Sequence, residues 1–133
     1  MKKNYFTTLV FLFVLSAAAV GQVEQAFAQL KGVYQGQVFN SGSLDPVQTS
    51  FQIDKNGKPK GTYSITEEGG VERGVLSGFK WEADRVLVCT WKDKYGTGIL
   101  RILFTSDFSS FRGFWGEDAK STSFPWSGAK KNP

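Results

Sequence analysis

Residues 47–66, VQTSFQIDKNGKPKGTYSIT, contain the pattern that decides the fold. Apolar or β-branched residues occupy every second position from 47 to 53, separated by glutamine and serine, and this alternation predicts a half-buried β-strand. The Asp54–Gly57 segment that follows favours a tight hairpin turn, because Asn-Gly readily adopts the positive φ values of a type I′ turn. Alternation then resumes through Tyr63 and Ile65. The stretch therefore predicts an antiparallel hairpin.

The same alternation recurs along the rest of the chain, and no stretch after residue 30 keeps a helical period for three turns. Gly74 and Gly78 predict a bulge or sharp coiling inside the fourth strand. The polar segment 40–46 is predicted to be a loop. The chain is therefore predicted to be all-β, an eight-stranded antiparallel up-and-down (meander) β-barrel, with a two-sheet sandwich as the alternative. The predicted strands are residues 32–39, 47–53, 60–66, 71–81, 85–92, 97–105, 110–116 and 124–129.

The N-terminal residues 1–28 have the pattern of a signal peptide. Two lysines precede an apolar run over residues 9–20, and Ala26-Phe27-Ala28 follows as a small-x-small cleavage site. The run is too short to span a bilayer, which takes about 20 residues as a helix. We expect cleavage after Ala28, with Gly21 as the other candidate. The expected product is an exported domain of residues 29–133, periplasmic or extracellular, with no transmembrane segment.

The composition excludes several kinds of site. The 133 residues include no histidine and one cysteine, which removes His-based nucleophile systems, imidazole metal sites and an internal disulfide. Cys89 stands in an apolar run and is expected to be a small buried hydrophobe. The adjacent acids at 67–68 and 117–118 fall in predicted turns, where carboxylates are usually solvated. The prediction is a protein that is not an enzyme and has no cofactor, metal or nucleic-acid partner, the net charge being only +4.

Aromatic residues are the informative set, because alternate residues of a closed barrel point into it. Tyr34, Tyr63, Trp81, Trp91, Phe111, Trp115 and Trp126 all lie on predicted strands. They form either a plain aromatic core or a stacking pocket for a planar or apolar ligand at the barrel mouth. Ser64, Ser77 and Thr90 are the polar candidates for the inner face.

Several short motifs resemble the avidin and streptavidin family of barrels, and the general architecture is lipocalin-like. The motifs are Gly61-Thr62-Tyr63, Val75-Leu76-Ser77-Gly78 and Val88-Cys89-Thr90-Trp91-Lys92 with Tyr95, in the family's order. The resemblance implies an exported biotin-binding barrel. In it Tyr63 would bind the ligand's urea oxygen, Trp91 would wall the pocket, and Asn40 and Ser43 would lie on a ligand-binding loop. The chain departs from the family at Ile65, where a polar side chain is usual, and no aspartate follows Trp126.

The leading prediction is an exported, non-enzymatic β-barrel that binds a small apolar or planar ligand in its mouth. The alternative is an exported protein-interaction module, such as an envelope scaffold or an inhibitor of a secreted enzyme, acting through the loops at 40–46 and 118–125. The third hypothesis is an enzyme whose catalytic residues lie in the barrel lumen. A protein partner or a homo-oligomer remains open. The candidate ligand-binding residues are Tyr34, Asn40, Ser43, Tyr63, Trp91, Trp115 and Trp126.

Overall fold

Eight antiparallel strands close into one barrel in the computed structural model, which describes residues 27–132. Each strand pairs with the next along the chain, and β8 returns to pair with β1. The predicted up-and-down barrel is therefore confirmed. The predicted signal peptide lies outside the described residues except for its last two. The strands are β1 (Gly32–Asn40), β2 (Ser43–Ile53), β3 (Pro59–Glu67), β4 (Gly70–Ala83), β5 (Val86–Asp93), β6 (Gly96–Phe104), β7 (Ser110–Gly116) and β8 (Phe124–Lys130).

The β1–β2 connection is tighter than the sequence predicted. The segment predicted as a loop is mostly strand, since β2 begins at Ser43 and Asn40 pairs directly with Ser43. Only Ser41 and Gly42 form the turn, with φ values of 50° and 89°. A two-residue hairpin turn with two positive φ values matches the twist of the flanking strands. As a consequence, the alternation of β2 extends to the rim of the barrel and carries Asp45 with it.

The predicted bulge lies at Gly78, whose φ is 63°. The pairing of β4 with β5 shifts by one residue between Ser77 and Lys80. A one-residue insertion reverses which side chains point inward, so Phe79 and Trp81 turn toward the core after the bulge. Gly74 has regular pairing with Tyr63 instead, and its role is described with the site.

One half of the barrel is filled by aromatic side chains. Tyr34 is completely buried, and its ring centroid lies 5.3 Å from that of Phe111 and 5.7 Å from that of Phe51. The Tyr34 hydroxyl donates to the Phe108 carbonyl at 3.0 Å, which ties the β6–β7 loop over this end. Packed apolar side chains therefore close the barrel here, and we call it the closed end.

Cys89 is buried in this barrel interior, as predicted, with 1% of its surface exposed. Burial raises the pKa of its thiol to about 12, because the apolar surroundings disfavour the thiolate.

Within residues 27–132, no helix is long and apolar enough to cross a bilayer.

Candidate ligand-binding site

The half of the barrel opposite the closed end contains a cavity of about 230 Å³ that opens to solvent. We call this half the open end. The cavity lies among the last residues of β1, β3, β5 and β7 and the start of β8, where side chains from five strands converge. Its lining consists of Val38, Phe39, Asn40, Ser41, Tyr63, Ile65, Trp91, Asp93, Tyr95, Trp115, Glu117 and Trp126.

Two aromatic pairs form the walls of the cavity. Trp91 and Trp115 meet edge to face, with centroids 5.4 Å apart and planes at 82°. Tyr63 and Trp126 do the same at 4.9 Å and 79°. Edge-to-face packing is the arrangement that aromatic quadrupoles favour, so the four rings hold one another in place. The walls therefore present aromatic surface to the cavity.

The position of Tyr63 depends on a glycine across the sheet. Gly74 pairs with Tyr63 in the β3–β4 ladder, and a Cβ atom at Gly74 would collide with the phenol ring. The absence of a side chain at Gly74 leaves room for the outer carbons and the hydroxyl of Tyr63. From there its hydroxyl donates to Asp93 Oδ2 at 2.7 Å.

The tryptophan N–H groups around the cavity already donate to protein acceptors. Trp91 Nε1 donates to the Gly116 carbonyl at 3.1 Å, and Trp115 Nε1 donates to the Phe39 carbonyl at 3.0 Å. Trp126 Nε1 donates to the Thr49 hydroxyl at 3.0 Å. The indoles therefore present carbon surface to the cavity, while their polar edges fix them to the barrel.

Carboxylates cluster at the open end: Asp93 and Glu117 line the cavity, and Asp45 and Glu67 line the groove beside it. Asp45, Glu67, Glu72 and Asp93 occupy inward positions near the ends of four consecutive strands, β2 to β5, and Glu117 follows β7. We call these five residues the acidic rim. Their one ion pair within the described chain is between Glu72 and Lys94, at 3.1 Å.

Asn40 links two members of the acidic rim. Its side-chain amide donates to Asp45 Oδ2 at 3.0 Å and to Glu67 Oε2 at 2.8 Å. The Tyr95 hydroxyl also donates to Glu67, at 3.3 Å. These bonds hold two carboxylates close together without neutralising either charge.

The negative charges of the acidic rim affect the pKa of Tyr63. Burial raises the pKa of its hydroxyl well above the usual range, and the hydrogen bond to Asp93 raises it further, as do the charges of Asp93 and Glu72. The phenol therefore stays protonated and donates to Asp93 throughout the physiological pH range.

The structure brings five of the seven predicted ligand-binding residues to this cavity: Asn40, Tyr63, Trp91, Trp115 and Trp126. Tyr34 lies in the packed closed end instead. Ser43 lies beside the cavity, in a polar groove on the rim, where its hydroxyl donates to Asp45 at 3.1 Å.

The three polar residues considered for the inner face all point outward. Ser64, Ser77 and Thr90 alternate with the buried Tyr63, Leu76 and Cys89 on their strands. These three residues therefore do not contribute to a pocket, and the polar side chain buried in the middle of the barrel is Thr49.

The acidic rim is the part of the site that sequence reasoning missed. Asp45, Glu67, Asp93 and Glu117 were assigned to loops or turns. The signal that could have identified three of them is the alternation itself: Val47, Ile65 and Trp91 are buried, and the residues two positions nearer the open end are Asp45, Glu67 and Asp93.

Among residues 27–132, no group of three or more acidic or thiol side chains is arranged to hold a metal ion. Comparisons of the chain with protein-family models, with curated proteins and with solved structures gave no match.

Proposed function

We propose that this protein is an exported, non-enzymatic β-barrel that binds a small molecule with planar or apolar character in the cavity at its open end. The observation that carries the proposal is the division of the barrel into two halves. One half is filled with aromatic side chains, and the other leaves four aromatic rings facing an open cavity of about 230 Å³. Export is inferred from the sequence of residues 1–28.

The size of the cavity limits the ligand. Benzene fills an engineered apolar cavity of roughly 150 Å³, and drug-sized ligands occupy about 300 Å³ or more. A cavity of about 230 Å³ fits one ring with a short substituent. Burial of the ligand against the indole faces would provide most of the affinity, because the hydrophobic contribution scales with apolar area removed from water.

Like the avidin resemblance, the proposal places a ligand in the mouth of the barrel. It does not retain biotin as that ligand. Tyr63 donates its hydroxyl proton to Asp93, whereas the resemblance requires it for a urea oxygen. The acidic rim would also repel the carboxylate of biotin. The likeness to avidin is therefore a proposal about the architecture alone.

The test is titration of the protein with a panel of small metabolites, monitored by intrinsic tryptophan fluorescence and by thermal shift. A binding ligand should change the emission of Trp91, Trp115 or Trp126. Trp115→Ala should then weaken binding by about 1–2 kcal/mol, or roughly five- to thirtyfold, because it removes one wall of the cavity.

Phe114→Ala is the matched control, since Phe114 is adjacent in sequence but 47% exposed on the outer wall. Its affinity should equal that of the wild type. A panel in which no compound changes the fluorescence or the melting temperature would count against the pocket, as would equal losses in the two variants.

Exposed apolar side chains on the rim favour a second candidate, a protein-interaction module. Leu44 and Val71 are each 52% exposed and Tyr95 is 62% exposed; Val71 and Tyr95 line the polar groove beside the cavity. A partner or second copy bound there should be lost from Leu44→Ser and Val71→Ser and retained by Phe114→Ala. Monomeric wild-type protein that captures nothing would refute this candidate.

A further inference from the structure

The hydrogen-bonding groups of the open-end cavity are almost all acceptors. The indole N–H groups of Trp91 and Trp115 donate to backbone carbonyls, and the hydroxyl of Tyr63 donates to Asp93. Both protons of the Asn40 amide are given to carboxylates. The side-chain donors of the cavity lining are therefore already engaged in hydrogen bonds within the protein, apart from the exposed hydroxyl of Ser41 at the cavity opening.

The acceptors, in contrast, have capacity left. Each carboxylate oxygen can accept two hydrogen bonds. Asp93 Oδ2 accepts one from Tyr63, and Oδ1 accepts one from the Tyr95 backbone N–H at 2.8 Å. Glu117 has no hydrogen bond or ion pair among the described side chains. A ligand in this cavity therefore meets open acceptor sites.

Negative charge also predominates at the open end. Of the five carboxylates of the acidic rim, Glu72 forms an ion pair with Lys94, and the other four form none among residues 27–132. Arg73 and Lys92 lie on β4 and β5 at exposed positions that alternate with inward residues, so they point away from the cavity. In the β7–β8 loop, the charges of Asp118 and Lys120 offset each other. The mouth is left with a negative potential.

Basic residues gather at the opposite end of the barrel, where four acidic residues accompany them. This separation gives the domain an electrical polarity that directs cations toward the open end. The basic residues of the closed end are Lys31, Lys55, Lys58, Lys60, Lys80, Arg85, Lys130 and Lys131.

From this geometry we propose that the cavity selects small organic cations: ligands in which a planar or apolar body carries a protonated or quaternary nitrogen. The inference rests on the proposed function and adds the charge of the ligand to it. The faces of Trp91, Trp115 and Trp126 attract a cation through their ring quadrupoles. The nitrogen lies at the mouth, where Asp93 accepts its N–H or offsets its charge and Glu117 adds a second negative charge.

Three probes of nearly equal shape isolate the charge: benzylammonium, benzyl alcohol and benzoate. Each has one ring and a short polar substituent, which suits a cavity of about 230 Å³. Dissociation constants are measured by calorimetry and tryptophan fluorescence at low and at high salt. Benzylammonium should bind about tenfold or more tightly than benzyl alcohol, and benzoate should bind most weakly. High salt should weaken only the binding of benzylammonium.

The rim variants Asp93→Asn and Glu117→Gln should each weaken benzylammonium about fivefold more than they weaken benzyl alcohol, so the preference for the cation falls. Asp84→Asn is the matched control, because it removes a carboxylate that is 96% exposed at the closed end, and it should bind all three probes as the wild type does. If Asp93→Asn disturbs Tyr63, Glu117→Gln still provides the test, since Glu117 is exposed.

The possible outcomes distinguish a failure of cation selection from a failure of the proposed binding pocket. Benzyl alcohol binding as tightly as benzylammonium, or rim variants that keep the wild-type preference, would overturn cation selection while leaving the pocket in place. Absence of binding by all three probes at millimolar concentration would count against the pocket itself and therefore against both statements.

Discussion

Gly74→Ala should damage both the stability of the barrel and the shape of its open end. An alanine Cβ at this position would occupy the same space as the Tyr63 ring, colliding with its outer carbon and hydroxyl. The ring cannot slide sideways, because Trp126 packs against it with centroids 4.9 Å apart. The substitution must therefore displace Tyr63 or separate β3 from β4.

The magnitude follows from three contributions. Overpacking a well-filled interior costs about 1–3 kcal/mol, and losing the hydrogen bond to the Asp93 carboxylate costs roughly 1.5–3 kcal/mol. Replacing glycine by alanine returns about 0.4–1 kcal/mol by restricting the unfolded chain. The net loss is on the order of 3 kcal/mol. For a domain of this size that lowers Tm by roughly 12–24 °C.

Urea and thermal unfolding measure this loss directly, with Gly69→Ala as the control. Gly69 lies in the β3–β4 turn, where a Cβ would meet nothing within 4 Å, so that variant should be as stable as the wild type or slightly more so. A double-mutant cycle then identifies the cause. In a Tyr63→Ala background, Gly74→Ala should cost nothing. Equal destabilisation in both backgrounds, or a Gly74→Ala protein as stable as the wild type, would refute the role of the ring.

Three further predictions concern titratable groups outside the cavity. Burial raises the pKa of Tyr34, so the stabilisation that its neutral phenol provides is complete below the unfolded value of about 10 and is lost at higher pH. The part of the tyrosinate absorbance that Tyr34→Phe removes should appear together with unfolding, and its appearance in folded protein would contradict this. Hydrogen bonds from Ser109 and Thr105 hold the pKa of Asp107 at about 2. The stabilisation that ionised Asp107 gives the fold is complete above the pKa of this group in the unfolded chain, and it is lost as the pH falls toward about 2. Asp107→Asn should therefore lower Tm at neutral pH but not at strongly acidic pH. The Cys89 thiol, with a pKa of about 12, should resist thiol reagents at neutral pH until urea unfolds the barrel, and rapid modification of native protein would show that it is exposed.

The architecture could be predicted from the sequence because its determinants are local. Alternation such as that from Val47 to Ile53 and turn chemistry such as Asn56-Gly57 each act over a few residues. The short connections between such segments leave an up-and-down order as the simplest arrangement. The aromatic walls were also predictable, since Trp91 and Trp126 each lie at an inward position in the alternation of their own strand. Tyr34 was misplaced because alternation gives the direction of a side chain but not its depth along the barrel.

The acidic rim shows where local reasoning fails and what physical rule replaces it. Glu67 and Asp93 stand next to glycine-containing turns, and carboxylates at such positions are usually solvated. In this barrel the ladder continues to the last residue before each turn, since Glu67 pairs with Gly70 and Asp93 with Gly96. The side-chain alternation must therefore continue as well, and it directs both carboxylates toward the axis instead of outward. Each of the four neighbouring strands β2 to β5 has an inward-facing acid near its open end. Whether an acid beside a turn lies on the outer surface or near the mouth of the cavity therefore depends on how far the ladder continues toward that turn.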